Sequence, residues 1–198
     1  MLTTPIEQGQ AINVVAYCTK NDGRWDDEQW IKPTTKEEML AHFHGWSKPV
    51  MDILSLIEKP DIWALFDHAP APTYHRQGRI CLLGDAAHAS TPHHGAGAGM
   101  AVEDALVLSK LLASIESRQG LEAAFAAYDQ VRRPRSQRLV TSSRRVAEVY
   151  DFEDESTRRS MKKLGDYLLQ AWDWIWKEDV EGQLERAQRC LLREATCA

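Results

Sequence analysis

The stretch Gly78–Leu112, GRICLLGDAAHASTPHHGAGAGMAVEDALVLSKLL, decides how the rest of this chain is read. It opens on an apolar run, Ile80 to Leu83, held between Gly78 and Gly84, and this spacing predicts one short buried strand. Asp85 follows at once. A loop of small residues comes next, punctuated by Pro92 and by glycines 95, 97 and 99. From Met100 the apolar positions (Met100, Val102, Leu106, Leu108, Leu111, Leu112) fall at helical spacing. Strand, glycine loop and helix start together can bring backbone N–H groups and a helix N-terminus against a ligand. The alternative is that the glycines only make a tight connection.

Two nucleotide motifs do not fit. No Lys-Ser or Lys-Thr follows the glycines, so the loop is not a Walker phosphate loop. A dinucleotide fingerprint has a tight turn between strand and helix, then a second strand carrying an acid. Here the loop before Gly99 is long, and the helix runs through SIESRQG into another helical pattern.

The residues Gly84-Asp85-Ala86-Ala87-His88, then Pro92, then Gly95-Ala96-Gly97-Ala98-Gly99, then Glu103-Asp104-Ala105 resemble the second flavin motif of FAD-dependent aromatic-ring monooxygenases. The resemblance is to the single-component, salicylate-hydroxylase-like enzymes, particularly fungal ones. Looser similarities flank it in the expected order: INVVAY, HFHGWSKPVMDIL and WALFDHAPAP before the motif, and AYDQVRRPRSQRLVTSSR after it.

Composition sets bounds around this reading. The chain has 198 residues, enough for one ordinary domain or parts of two, and 43% hydrophobic with 27% charged residues is a composition that buries a core. A net charge of −5 argues against a general nucleic-acid or anionic-membrane binder. No apolar run approaches the roughly 20 residues that span a bilayer. The start MLTTPIEQGQ has no secretory pattern, and Cys18, Cys81, Cys190 and Cys197 are scattered, so reduced thiols in a cytoplasmic setting are expected.

In chain order, Ala11–Cys18 predicts a strand in a covered sheet, and Asn21-Asp22-Gly23 a turn. Thr34 or Thr35 caps a helix running to about Gly45. Pro49 opens a second helix, with Val50, Ile53, Leu54 and Ile57 on one face, and Lys59-Pro60 ends it. Trp63–Asp67 predicts another strand. After Leu112 everything is helical: Leu121–Arg133, a break or kink at Pro134, Ser136–Tyr150, Leu164–Trp176 and Gln183–Leu192. The arginines around Pro134 read as a solvated helix face, with a phosphate or NADPH patch as the alternative. Trp172, Ile175 and Trp176 read as core packing.

The resemblance implies an α/β fold class: an α+β fragment, the remnant of an FAD-binding three-layer domain with part of a substrate-domain sheet, followed by a helical C-terminus. Its expected divisions are a partial substrate-binding domain at 1–72, the C-terminal part of the FAD-binding domain at 73–150, and a helical extension at 151–198. It implies FAD as cofactor and NADH or NADPH as reductant, with one oxygen atom of O2 passed to a phenolic or aromatic-acid substrate. It implies that Asp85 accepts hydrogen bonds from the ribityl hydroxyls and that Pro92 stiffens the loop over the flavin ring. Gly95, Gly97, Ala98 and Gly99 would let the backbone approach the flavin edge closely. Glu103 and Asp104, expected in the first helical turn, read as structural. His93 or His94 could face substrate. No catalytic residue is singled out, and no histidine has ligand partners at metal spacing.

A complete enzyme of this family begins with a strand, a GxGxxG turn and a helix, and none of these is present in this sequence. The chain therefore resembles the C-terminal half of such an enzyme, and a missing N-terminal half or a homo-oligomer is a candidate partner. Three functions stay open. They are a flavin monooxygenase, an inactive homologue acting as a protein-interaction module, and a small-molecule binding module using the residual pocket.

Overall fold

The computed structural model describes residues 1–19 and 23–197. The chain divides into two compact units, Met1–Ala64 and Leu65–Ala198.

In the first unit, β1 (Leu2–Ile6) and β2 (Ala11–Val15) form an antiparallel hairpin around a 3-10 turn at Glu7–Gly9, with Thr4 opposite Asn13. β3 (Ile31–Pro33) leads to α1 (Lys36–His42), α2 (Lys48–Ser55) and β4 (Asp61–Trp63), which pairs antiparallel with β3. α1 starts where the sequence places it. Thr35 Oγ1 accepts from the Glu38 N–H at 3.1 Å, and the Glu38 carboxylate accepts from the Thr35 N–H at 3.2 Å, a reciprocal capping box. Met39, Phe43 and Leu54 form this unit's core, with Val14, Val50 and Ile57 packed on it.

The strand expectations here need correction. β2 stops at Val15 and has one neighbour, so it does not lie in a covered sheet, and Ile12 is exposed. The second expected strand ends at Trp63 rather than running from it, because β3 offers only three residues to pair with. Of the expected turn, Asn21 and Asp22 lie outside the described residues.

The second unit opens on the hairpin β5 (His75–Arg76) and β6 (Ile80–Cys81). The run Ile80–Leu83 is therefore a two-residue strand, and Ile80 is 56% exposed, not buried. With β5 as its single neighbour, β6 has no sheet to bury it. Helices follow: α3 (Asp85–His88), α4 (Gly97–Ala113), α5 (Leu121–Tyr150), α6 (Met161–Gln170), α7 (Asp173–Trp176) and α8 (Val180–Cys197).

Pro134 does not break the chain into two helices: α5 runs through it for 30 residues. A proline inside a helix costs about 3 kcal/mol. Flanking anchors offset that cost, since Arg132, Arg135 and Ser136 are all buried beside it and hydrogen-bonded to other elements. The expected helix at 164–176 is two pieces, α6 and α7. Trp172 packs on the core as expected, but Trp176 is 74% exposed.

α4, α5 and α8 pack against one another around Tyr74, Val107, Leu111, Tyr128 and Leu191. Ala124, Ala127 and Ala187 are fully buried there, and their small side chains let the helices approach closely. A second cluster of Ala96, Met100, Leu139 and Ile175 lies directly beneath the start of α4. No helix among the described residues is long and apolar enough to cross a membrane.

Candidate functional site

α4 begins at Gly97, three residues before the apolar pattern starts, because glycines contribute nothing to hydrophobic periodicity. Met100 N–H makes the first intrahelical bond, to Ala96 O at 3.0 Å. The amides of Gly97, Ala98 and Gly99 are therefore first-turn donors, and no side chain caps them. Their surroundings are open. A Cβ at Gly95 or Gly99 would meet nothing within 4 Å, and one at Gly97 would meet only Ser90 Oγ at 3.6 Å. Pro92 opens a 3-10 turn over Pro92–His94, and Gly95 closes it in the left-handed conformation (φ 63°, ψ 22°). Pro92, Gly95, Ala98 and Gly99 are exposed and Gly97 is half-buried.

Asp85 is the first residue of α3. It follows Gly84, whose φ of 58° and ψ of −144° suit glycine alone. A Cβ on Gly84 would also press on Ala101 Cβ at 3.3 Å. The Asp85 side chain is exposed and, among the described residues, makes no hydrogen bond or ion pair. The structure thus leaves the Asp85 carboxylate and the α4 amides both available to a ligand.

Beneath the loop lies a network that local sequence does not reveal. Glu103 and Asp104 are not in the first turn of α4; they lie in its second turn and point inward. Asp104, fully buried, accepts from Arg132 Nε at 2.8 Å and from Gly84 N–H at 3.1 Å, and its Oδ2 lies 2.5 Å from His88 Nε2. Arg132, with 0% exposure, also donates to Glu103 (2.6 Å), to Gln183 Oε1 (2.5 Å) and to Met100 O (3.2 Å). Arg135 makes a two-pronged pair with Glu103 at 2.8 Å for both contacts, and donates to Trp174 O at 3.0 Å. A solvated face was expected for these arginines. Arg132 and Arg135 are instead buried ion-pair partners of acids 28 and 32 residues away.

The charges are settled by these contacts. Burial alone would raise the Asp104 carboxyl, but His88 and Arg132 outweigh it and hold it below the usual carboxylate range. Glu103 follows the same logic, with burial opposed by Arg135 and Arg132. Burial pushes the Cys81 thiol up to about 12, so it stays protonated.

His93 and His94 are both buried rather than presented at the surface. The His94 ring meets Trp172 edge-on, with centroids 5.0 Å apart, and Trp172 Nε1 donates to His94 O at 3.0 Å. Burial lowers the pKa of both histidines; the nearby Asp151 partly opposes this at His93, and the charge of His93 adds to it at His94. His42 and His44, in the first unit, are exposed. Among the described residues no group of three His, Cys, Asp or Glu side chains could hold a metal ion.

A domain model described as FAD binding domain matches residues 3–143. The chain belongs to the FAD binding domain family. Within that family it is salicylate-hydroxylase-like. It is 39% identical to 6-methylsalicylate 1-monooxygenase atA of Aspergillus terreus over 184 residues, covering 92% of this chain and 41% of that protein. Identity to a salicylate hydroxylase of Pseudomonas putida is 38% over 193 residues (95% and 44%), and to the FAD-dependent monooxygenase pigN of Monascus ruber 41% over 199 residues (94% and 45%). The chain thus spans less than half the length of the curated relatives it matches. A solved salicylate hydroxylase substrate complex superposes with a TM-score of 0.83 at 35% identity, over 93% of this chain and 46% of that one. The mixed helix and small-sheet architecture is the corresponding part of that fold.

Proposed function

We propose that residues 78–112 form part of the FAD site of a monooxygenase. This enzyme would hydroxylate a phenolic or aromatic-acid substrate, salicylate-like, with NADH or NADPH and O2. The observation that carries this is the open start of α4, where no side chain caps three amides and a Cβ on Gly99 would meet nothing within 4 Å. That cradle fits the edge of a flat, electron-accepting ring. FAD, when bound, supplies the redox and oxygen-transfer chemistry. The residues of this chain bind and orient it. Asp85 accepts from ribityl hydroxyls, and Gly95, Gly97, Ala98 and Gly99 allow close backbone approach. The α4 amides stabilise negative charge at the ring edge, and Pro92 restricts the loop.

In this reading residues 1–72 belong to a substrate-binding domain, 73–150 to the FAD-binding domain, and 151–198 form a helical extension. An N-terminal half or a second copy would complete the site. A cytoplasmic location goes with it, in keeping with the free thiols of Cys18, Cys81 and Cys190.

The test is turnover. With FAD supplied, the chain should oxidise NADH or NADPH and consume O2 faster when salicylate is added, and a hydroxylated product should accumulate. Flavin-loaded protein that yields no product from a panel of phenols and aromatic acids would remove the activity.

A second reading, an inactive homologue acting as an interaction module, is favoured by the exposure of Ile80, Leu83, Val102 and Leu106. Association of the chain without flavin would support it.

A further inference from the structure

On α8, Arg186, Arg189 and Arg193 recur at a spacing of three and four residues and so share one helix face, reaching about 10 Å along the axis. They face the α5 stripe Gln130, Val131 and Pro134 across a groove of about 410 Å³. That groove has three arginines and no carboxylate among its described lining residues. A smaller chamber of about 140 Å³ shares Val131, Pro134 and Arg186 with the groove and is lined also by Arg135, Arg138, Trp174, Gln183 and one carboxylate, Glu178.

Two observations make this more than a run of surface arginines. Gln183 is 1% exposed, and among the described residues its amide Nε2 has no hydrogen-bond partner, while its Oε1 is taken by Arg132. A buried donor left unpaired costs about 1–3 kcal/mol unless something accepts from it. Trp174 offers a partly exposed aromatic wall, over which the Arg138 guanidinium stacks at 4.2 Å. The basic groove also stands out in a chain of net charge −5. The acids beside Arg186 and Arg189 engage them weakly. Arg186 is 3.4 Å from Glu178 and Arg189 is 3.5 Å from Glu185, and all four side chains are partly or largely exposed to solvent. Arg186 and Arg189 each keep donors to spare.

We propose that this groove binds a nucleotide through its linked phosphates. Arg186, Arg189 and Arg193 hold the phosphate chain, and the Trp174–Gln183 chamber takes the adjoining flat ring. Planar guanidinium forks suit phosphate oxygens, and a row of them suits phosphates in series better than a single anion. The site is independent of the flavin reading, since none of its residues lies in the glycine loop.

Calorimetric titration of the 198-residue chain at low salt, with inorganic pyrophosphate, ADP and NADPH in turn, tests it. Pyrophosphate and ADP should compete for one site, ADP binding more tightly and quenching tryptophan fluorescence. In the double variant Arg186→Gln, Arg189→Gln the affinity should fall at least tenfold while melting temperature stays unchanged. NADPH at least as tight as ADP, with the same loss, would identify a dinucleotide as the occupant; weaker NADPH would identify a mononucleotide. No saturable phosphate binding by the folded chain, or equal affinity in the double variant, would overturn the proposal. ADP no tighter than pyrophosphate would strike the aromatic chamber from it.

Discussion

Asp104 Oδ1 and Arg132 Nε lie 2.8 Å apart with both side chains fully buried, directly behind the glycine loop. The other oxygen of the same carboxylate takes the Gly84 N–H and sits against His88. One carboxylate therefore joins α4, α5 and the turn that presents Asp85. The network's function is positional: it fixes the two surfaces that a ligand would meet.

Removing Arg132 would leave Asp104 buried with one partner fewer and Glu103 half-paired. Arg132→Met should lower unfolding stability by about 3–5 kcal/mol, as when one partner of a buried pair is deleted. Urea unfolding of the variant measures it. A loss below about 1 kcal/mol would mean the network is not a structural hub.

The same groups set the response to acid. Asp104 and Glu103 have lowered pKa values in the fold, so they contribute stability above the unfolded carboxylate range, about 4, that disappears as pH falls through their folded values. His93 and His94 are also lowered, mainly by burial. Their contribution is complete above the ordinary histidine value, about 6.5, and declines as pH falls from there towards their folded values. Melting temperature should therefore fall in two stages on acidification, and His94→Gln should flatten the upper one. A profile level between pH 7 and pH 5 would contradict this.

Gly99 separates fold from site. A Cβ there meets nothing in the chain, and alanine is a better helix former than glycine by up to about 1 kcal/mol. Gly99→Ala should leave stability equal or slightly higher, yet weaken FAD binding tenfold or more by filling the cradle. Unchanged FAD affinity would show that the flavin does not approach this position.

Asp85 makes the complementary case. Its carboxylate is exposed and unpaired among the described residues, so Asp85→Ala should not destabilise the fold. Lost hydrogen bonds to a charged group should weaken FAD binding by about 1–3 kcal/mol. Equal affinity in the folded variant would take Asp85 out of the site.

What the sequence made legible was local chemistry. Thr34 or Thr35 with acids behind it marks the start of α1, and the glycines at 95, 97 and 99 mark the loop. The start of α4 at Gly97 is hidden from hydrophobic periodicity because Gly97 and Gly99 carry no apolar signal. Arg132 and Arg135 resembled a solvated face because their acids lie a helix away, and nothing local tells a paired buried arginine from an exposed one. Pro134 suggested a break because its cost is local, whereas the anchors that offset it are tertiary. Ile80 looked buried because its apolar neighbours imply a sheet, but its single partner strand is too short to cover it.

The most direct measurement is a titration of the purified 198-residue chain with FAD, followed by visible absorbance and flavin fluorescence. The expected result is saturable binding with a perturbed flavin spectrum, weakened by both Asp85→Ala and Gly99→Ala. A folded chain whose flavin spectrum and fluorescence stay those of free FAD at every concentration would contradict the assignment of the glycine loop as a flavin site.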